Sequence, residues 1–182
     1  MIKLDLSRGP GLALLLVLAL FVFFARTAVA NDYGISAEDI VNITVYDEPE
    51  LSVQETRVSS NGTVAMPLIG DVRVTGLTTT QVAAKIEALL ANGYLKKPRV
   101  SVSIHEYRQV FVNGEVKKPG GYSYQEGLTV QKAVVLAGGF TERASPSKIR
   151  LVREDRPGIG IPVAQDFPVK PGDIITVGES FF

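Results

Sequence analysis

Apolar and polar residues alternate along two stretches of the chain, Asp39-Ile-Val-Asn-Ile-Thr-Val45 and Arg99-Val-Ser-Val-Ser-Ile104. That period of two predicts strands, the second with one cleanly buried face. Between them, Arg57-Val-Ser-Ser-Asn-Gly-Thr-Val64 places Asn61-Gly62 between two β-rich runs. Asn and Gly tolerate the positive φ of a type I′ turn, so a hairpin is expected there. Pro67-Leu-Ile-Gly70 breaks the alternation and Val72-Arg-Val74 resumes it. The period then changes. Gly76-Leu-Thr78 opens a helix that Thr78 and Gln81 can close as a capping box, with Leu77 stapling to Val82. Val82, Ile86, Leu89 and Leu90 form its apolar face, and Asn92-Gly93 stops it.

The second half repeats the plan. Val110-Phe-Val112, Glu115-Val116 and Tyr122-Ser-Tyr124 read as short strands around the turn Lys117-Lys-Pro-Gly-Gly121. A second Gly-Leu-Thr, at Gly127-Leu-Thr129, opens a helix over Val130 to Ala137, stopped by Gly138-Gly139. Lys148-Ile-Arg-Leu-Val-Arg153 and Pro171-Gly-Asp-Ile-Ile-Thr-Val177 supply two further strands, with Pro157-Gly-Ile-Gly160 as a loop. The expectation is an α+β protein of two units, residues 31–107 and 108–182, joined without a linker and packed together.

Residues 1–30 carry a different signal. Lys3 and Arg8 precede the 15-residue apolar run Gly11 to Ala25, and Ala28-Val29-Ala30 follows. This is the pattern of a cleaved secretory signal peptide, with Ala28 and Ala30 read by the peptidase and Asn31 as the new N-terminus. The run is shorter than the roughly 20 residues of a spanning helix, and Arg26 interrupts it. The periplasm of a Gram-negative cell is the simplest destination. Removing the leader takes away Lys3, Arg8, Arg26 and Asp5 and turns a net charge of zero into −2. A nucleic-acid binder needs a basic footprint, so nucleic acid is excluded as a partner. The chain has no Cys, hence no disulfide, thiolate metal site, thiol nucleophile or lipid-anchoring cysteine.

Catalytic signatures are missing. There is no Walker loop, Gly-x-Ser-x-Gly elbow or His-Glu-x-x-His helix, and no cofactor or metal is implied. His105, the one imidazole, continues the polar Ser101 and Ser103 face of its strand with no nucleophile marked beside it. Asp47, Glu48 and Glu50 cluster about Pro49 as a solvated turn rather than as two carboxylates flanking a bond. Gly138-Gly139 follows a helix, where an anion is disfavoured, so a left-handed cap is the better reading than a phosphate loop. Tyr107, Tyr122 and Tyr124 are candidates for stacking on sugar rings; core or interface packing is the commoner use of such rings.

Taken in order, these segments resemble the outer-membrane polysaccharide export family. Asp39-Ile-Val-Asn-Ile-Thr-Val-Tyr46, Pro49-Glu-Leu-Ser52, Val58-Ser-Ser-Asn-Gly-Thr-Val64, Met66-Pro-Leu-Ile-Gly-Asp-Val-Arg-Val-Thr-Gly-Leu-Thr78 and Tyr94-Leu-Lys-Lys-Pro-Arg-Val-Ser-Val102 are similar to its export domain. Val112-Asn-Gly-Glu-Val116, Pro119-Gly-Gly-Tyr122, Leu128-Thr129 through Leu136-Ala-Gly-Gly-Phe-Thr141, Pro171-Gly-Asp-Ile-Ile-Thr-Val177 and Glu179-Ser180 resemble its soluble-ligand-binding β-grasp domain. Three departures stand out. No Cys follows the leader, Ala37-Glu38-Asp39 replaces a Pro-Gly-Asp, and the chain stops at Phe182 where larger members continue into a membrane-crossing helix.

The resemblance implies a non-enzymatic component of capsular or exopolysaccharide export at the outer membrane. It implies a homo-oligomeric ring that conducts the polysaccharide outward above an inner-membrane polysaccharide copolymerase. As a short form without the membrane helix, the chain is expected not to span the outer membrane itself. A separate integral outer-membrane protein then completes the path. The alternative is a periplasmic saccharide-binding module with no conduit role. A hydrolase or lyase would need convergent acids or a base that the sequence does not provide.

Overall fold

The computed structural model describes residues 33–180. The expected signal peptide, with its expected Ala28, Ala30 and Asn31 site, and Phe181-Phe182 lie outside the described residues. Residues 33–180 belong to one compact unit. Its secondary structure is α+β, with two helices and ten strands among the described residues.

Two hydrophobic cores follow each other along the chain. Strands β1 (Ile40–Val45), β2 (Val53–Arg57) and β5 (Val100–Glu106) form a sheet in the order β2-β1-β5, antiparallel throughout. A 3-10 turn, Pro49–Leu51, separates β1 from β2. Strands β3 (Thr63–Met66) and β4 (Gly70–Arg73) pair as a ribbon of their own. Helix α1 (Thr79–Ala91) presents Val82, Ile86 and Leu90 to this core, where they meet Val41, Ile43, Val45, Val64 and Val74. Both arms of the capping box are made: Gln81 N–H donates to Thr78 Oγ1 at 3.2 Å, and Thr78 N–H donates to Gln81 Oε1 at 2.9 Å. Leu89, expected on the buried face, points outward and is 38% exposed. Positions 82, 86 and 90 already fill the stripe that faces the sheet, and 89 lies a hundred degrees round from 90.

The second core has a mixed five-stranded sheet in the order β7-β6-β10-β8-β9. It comprises β6 (Val110–Gly114), β7 (Gly120–Tyr122), β8 (Ala144–Val152), β9 (Gly160–Pro162) and β10 (Ile174–Glu179). The parallel pair β6 and β10 lies inside it, and helix α2 (Val130–Leu136) supplies Val130, Ala133 and Val134 to the core beneath. This is a β-grasp-like arrangement. Helix α2 ends in a Schellman motif: Gly139 N–H donates to Val134 O and Gly138 N–H to Val135 O, with both glycines at positive φ. The glycine pair is thus a helix stop.

One strand-pairing expectation fails. Asn61-Gly62 does form a tight turn, with Gly62 at φ +76° and its N–H donating to Ser59 O. The strands on either side do not pair as a hairpin: β2 pairs with β1 and β3 with β4, in separate sheets. Turn chemistry is local, whereas the choice of strand partner is made by the core. The true hairpin runs through Pro67-Leu68-Ile69, with Leu68 at φ +65°. The Tyr122-Ser-Tyr124 strand is also shorter than expected and stops at Tyr122.

Gly114 closes β6 against β10 at φ +80°, and a Cβ there would run into the Val177 carbonyl. Gly114→Ala is expected to lower stability by about 2 kcal/mol or more, through the left-handed backbone and the clash together. Thr78→Ala removes only a cap and should cost about 0.5–2 kcal/mol. Urea unfolding of the two variants gives the order directly; a milder loss for Gly114→Ala would contradict it.

Candidate functional site

Where the two cores meet, the chain buries a carboxylate. Asp39 is fully buried at the start of β1. Its Oδ2 accepts from Ser36 N–H at 2.8 Å and from the Tyr33 hydroxyl at 2.6 Å. Its Oδ1 accepts from the backbone N–H of Arg108 at 2.9 Å, and the Arg108 guanidinium stands 3.5 Å away. Arg108 also donates through Nη1 to the Tyr33 oxygen at 2.5 Å and through Nε to Glu154 Oε2 at 2.7 Å. Burial alone would lower the Arg108 pKa; Tyr33, Glu154 and Asp39 outweigh it and hold it above the ordinary value. An unpaired charge buried here would be strongly destabilising, and this set of partners removes that problem.

Asp173, before β10, repeats the device. Its Oδ2 accepts from Lys170 N–H at 2.7 Å and from Arg153 Nη1. Burial raises the Asp173 pKa against the pull of both donors. Arg108 lies between the two turns, since Gly172 N–H donates to Gln109 O and Phe111 N–H to Asp173 O. The crossing between the cores is therefore bonded on both sides.

An open cleft of about 450 Å³ adjoins this junction. Glu38, Arg57 and Glu106 come from the first core's elements, and Gln109, Phe111 and Glu154 from the second's. Phe111 is 43% exposed. Its ring and the Gln109 amide lie against the bare backbone of Gly121, where any Cβ would displace them.

The three candidate tyrosines are placed differently from one another. Tyr107 lines the cleft. Its ring meets Tyr33 edge-on at 4.9 Å and Tyr124 edge-on at 5.2 Å, and its hydroxyl donates to Glu126 at 2.8 Å. Burial first, then that hydrogen bond, pushes its pKa up to about 12. Burial and the charges of Glu126 and Asp173 raise Tyr124 as well. Tyr122 and Tyr124 both pack on the second core, and the Tyr122 hydroxyl donates to Lys118 O at 2.5 Å. The structure thus joins Tyr107 to Tyr124 and, unexpectedly, to Tyr33. Tyr33, Asp39, Arg108, Glu154 and Phe111 were not candidates from the sequence. Only Asp39 had a legible signal, as the acid of a turn resembling Pro171-Gly172-Asp173.

The catalytic distractors stay apart from the cleft. His105 is exposed, with Glu55 at 3.8 Å. Asp47 pairs with Arg99 at 2.9 Å on the surface, and Glu48 hydrogen-bonds Glu50, which raises its pKa. Among the described residues no cluster of His, Asp and Glu could hold a metal ion, and no helix is long and apolar enough to cross a membrane.

Comparison with known proteins agrees with this two-part build. Residues 27–105 match the family described as polysaccharide biosynthesis/export protein, and residues 109–162 match the SLBB domain. The chain belongs to the polysaccharide export protein family. The exopolysaccharide production protein ExoF of Rhizobium meliloti is 34% identical over 138 residues, covering 70% of this chain and 33% of its own length. The EPS I polysaccharide export outer membrane protein EpsA of Ralstonia nicotianae is 31% identical over 178 residues, covering 83% of this chain and 46% of its own. The polysialic acid transport protein KpsD of Escherichia coli is 32% identical over 68 residues, covering 37% of this chain and 12% of its own. The chain therefore spans a third to just under half of ExoF and EpsA. The boundary between the two family matches, at residues 105 and 109, brackets Arg108.

Two predictions follow from the junction. Asp39→Asn should cost about 1–3 kcal/mol, because the amide NH2 cannot accept from Ser36 N–H, the Tyr33 hydroxyl or Arg108 N–H, while Glu154 still pairs with Arg108. Asp47→Asn, which breaks a surface pair, should change stability by at most about 1 kcal/mol. Denaturant midpoints separate them. Tyr107 gives a pH signature. Its pKa in the folded chain is about 12 and near 10 when unfolded, so its stabilising effect is complete below pH 10 and is lost as pH rises towards 12. Stability should fall less steeply over that interval in Tyr107→Phe than in the native chain. Equal slopes would mean that Tyr107 is not held as described.

Proposed function

We propose that the chain is a non-enzymatic component of capsular or exopolysaccharide export, working in the periplasm at the outer membrane after removal of residues 1–30. The observation that carries this is the order of the two family matches along one compact unit, with the Asp39 and Arg108 junction between them. Residues 31–107 act as the export domain and 108–182 as the ligand-binding β-grasp domain. Copies of the chain assemble as a ring whose lumen passes a hydrated polymer. Its rims dock on an inner-membrane copolymerase and on a separate integral outer-membrane protein. The work is geometric, and the chain's own residues supply a fixed shape rather than a reaction.

The cleft supports a more specific role within that reading, as a contact site for the saccharide. Phe111 offers an apolar face at which sugar C–H groups can pack, and Gln109, Glu106 and Glu38 offer hydroxyl partners. Of the three tyrosines, Tyr107 is the one placed to join it, by the rim it lends to the cleft. Tyr122 and Tyr124 pack on the second core.

A strain lacking the protein should make the polymer's repeat units and show little polymer on its surface. Purified protein should leave the isolated polysaccharide at its original length. Depolymerisation that disappears on substituting Glu48 or Glu50 would overturn the non-enzymatic assignment.

A further inference from the structure

Glu38 stands where the matching turn has a glycine. The turns Ser36–Asp39 and Lys170–Asp173 share their bonds: the aspartate side chain accepts from the first residue's N–H, and the aspartate N–H donates to that residue's carbonyl. Both hold their third residue in the left-handed region, Gly172 at φ +83° and Glu38 at φ +69°. Gly172 has no alternative, since a Cβ there would lie 2.5 Å from Glu154 Oε2 and 2.8 Å from Arg108 Nε. At position 38 a glycine would relieve strain, because only residues without a Cβ adopt this region freely.

The Glu38 side chain does little to hold the fold. Its carboxylate is 61% exposed and meets Arg57 at 3.2 Å, itself 58% exposed. Such surface pairs contribute little. The bond that Arg57 Nη1 donates to the Glu38 backbone oxygen does not need the Glu38 side chain. Of the three acidic residues at positive φ among the described residues, Glu38, Asp47 and Glu55, Glu38 is the one that lines the cleft.

We propose that Glu38 sets the specificity of this cleft, which takes an uncharged, hydroxyl-rich sugar segment and turns away acidic ones; this rests on the saccharide reading above. Three solvent-facing carboxylates, Glu38, Glu106 and Glu154, line it against one solvent-facing cation, Arg57. Arg108 adds little positive field, because its guanidinium is 15% exposed and engaged by Asp39 and Glu154. Carboxylates only accept, so they suit hydroxyl donors and repel a uronate or sialate. Phe111 and Gln109 complete a lining in which a ring face and its hydroxyls both find partners.

The mature full-length chain, applied to a glycan array of uncharged hexose oligosaccharides beside uronate- and sialate-bearing ones, tests this. The native chain should retain the uncharged set. Glu38→Gly should melt at or above the native temperature yet bind that set roughly tenfold more weakly or worse. Glu38→Lys should shift retention towards the acidic glycans. Native preference for acidic glycans, a Glu38→Gly chain that binds as the native one does, or no glycan retained at all would each overturn the proposal. Surface polymer in the deletion strain is a separate readout, so the export role stands or falls without the array.

Discussion

Asp39 has to be paired, and the pairing organises the molecule. A carboxylate removed from water at the end of β1 is destabilising until donors surround it, and here they come from separate segments. Tyr33 and Ser36 come from the lead-in to the first core. Arg108 comes from the crossing into the second. The Arg108 backbone and guanidinium both turn to Asp39, so β6 can begin only where this carboxylate places it. Asp173 and Arg153 repeat the arrangement at the start of β10, and the bond from Gly172 N–H to Gln109 O ties that turn to the same crossing. Each core has its own hydrophobic cluster, while their mutual position is fixed by polar bonds.

That division has a functional consequence. Apolar packing is non-directional, whereas charge-assisted hydrogen bonds fix geometry. A junction built from the second kind holds a cleft open beside it, with Glu38, Arg57 and Glu106 on one side and Gln109, Phe111 and Glu154 on the other. Here Glu38, Glu106, Gln109 and Glu154 face an open space of about 450 Å³. The tyrosines contribute by packing edge-on to one another at the junction, which leaves Phe111 as the freer aromatic face.

The sequence made the elements legible because their signals are local. Alternation marked β1 and β5, Thr78 with Gln81 marked the start of α1, and Gly138-Gly139 marked the end of α2. What it hid was decided at a distance. Asn61-Gly62 is a good turn, yet β2 and β3 join different sheets because each side chain set fits a different partner. Leu89 matches the apolar composition of its helix but not the angle of the buried stripe. Tyr33 and Arg108 carry no periodic or motif signal, and their importance exists only once folding brings them to Asp39. The saccharide candidates Tyr107, Tyr122 and Tyr124 were legible as rings that could stack on a sugar or pack in a core, and which they do depends on neighbours that no spacing rule names.

Hydrogen exchange at the Arg108 amide tests the junction most directly. That N–H donates to Asp39 Oδ1 at 2.9 Å and lies between the two cores rather than inside either. If the carboxylate holds both cores as one body, the Arg108 amide exchanges only with global unfolding, as slowly as amides at the centres of β1 and β6. If it exchanges orders of magnitude faster while those strands stay protected, the cores move independently and the cleft is not a fixed site.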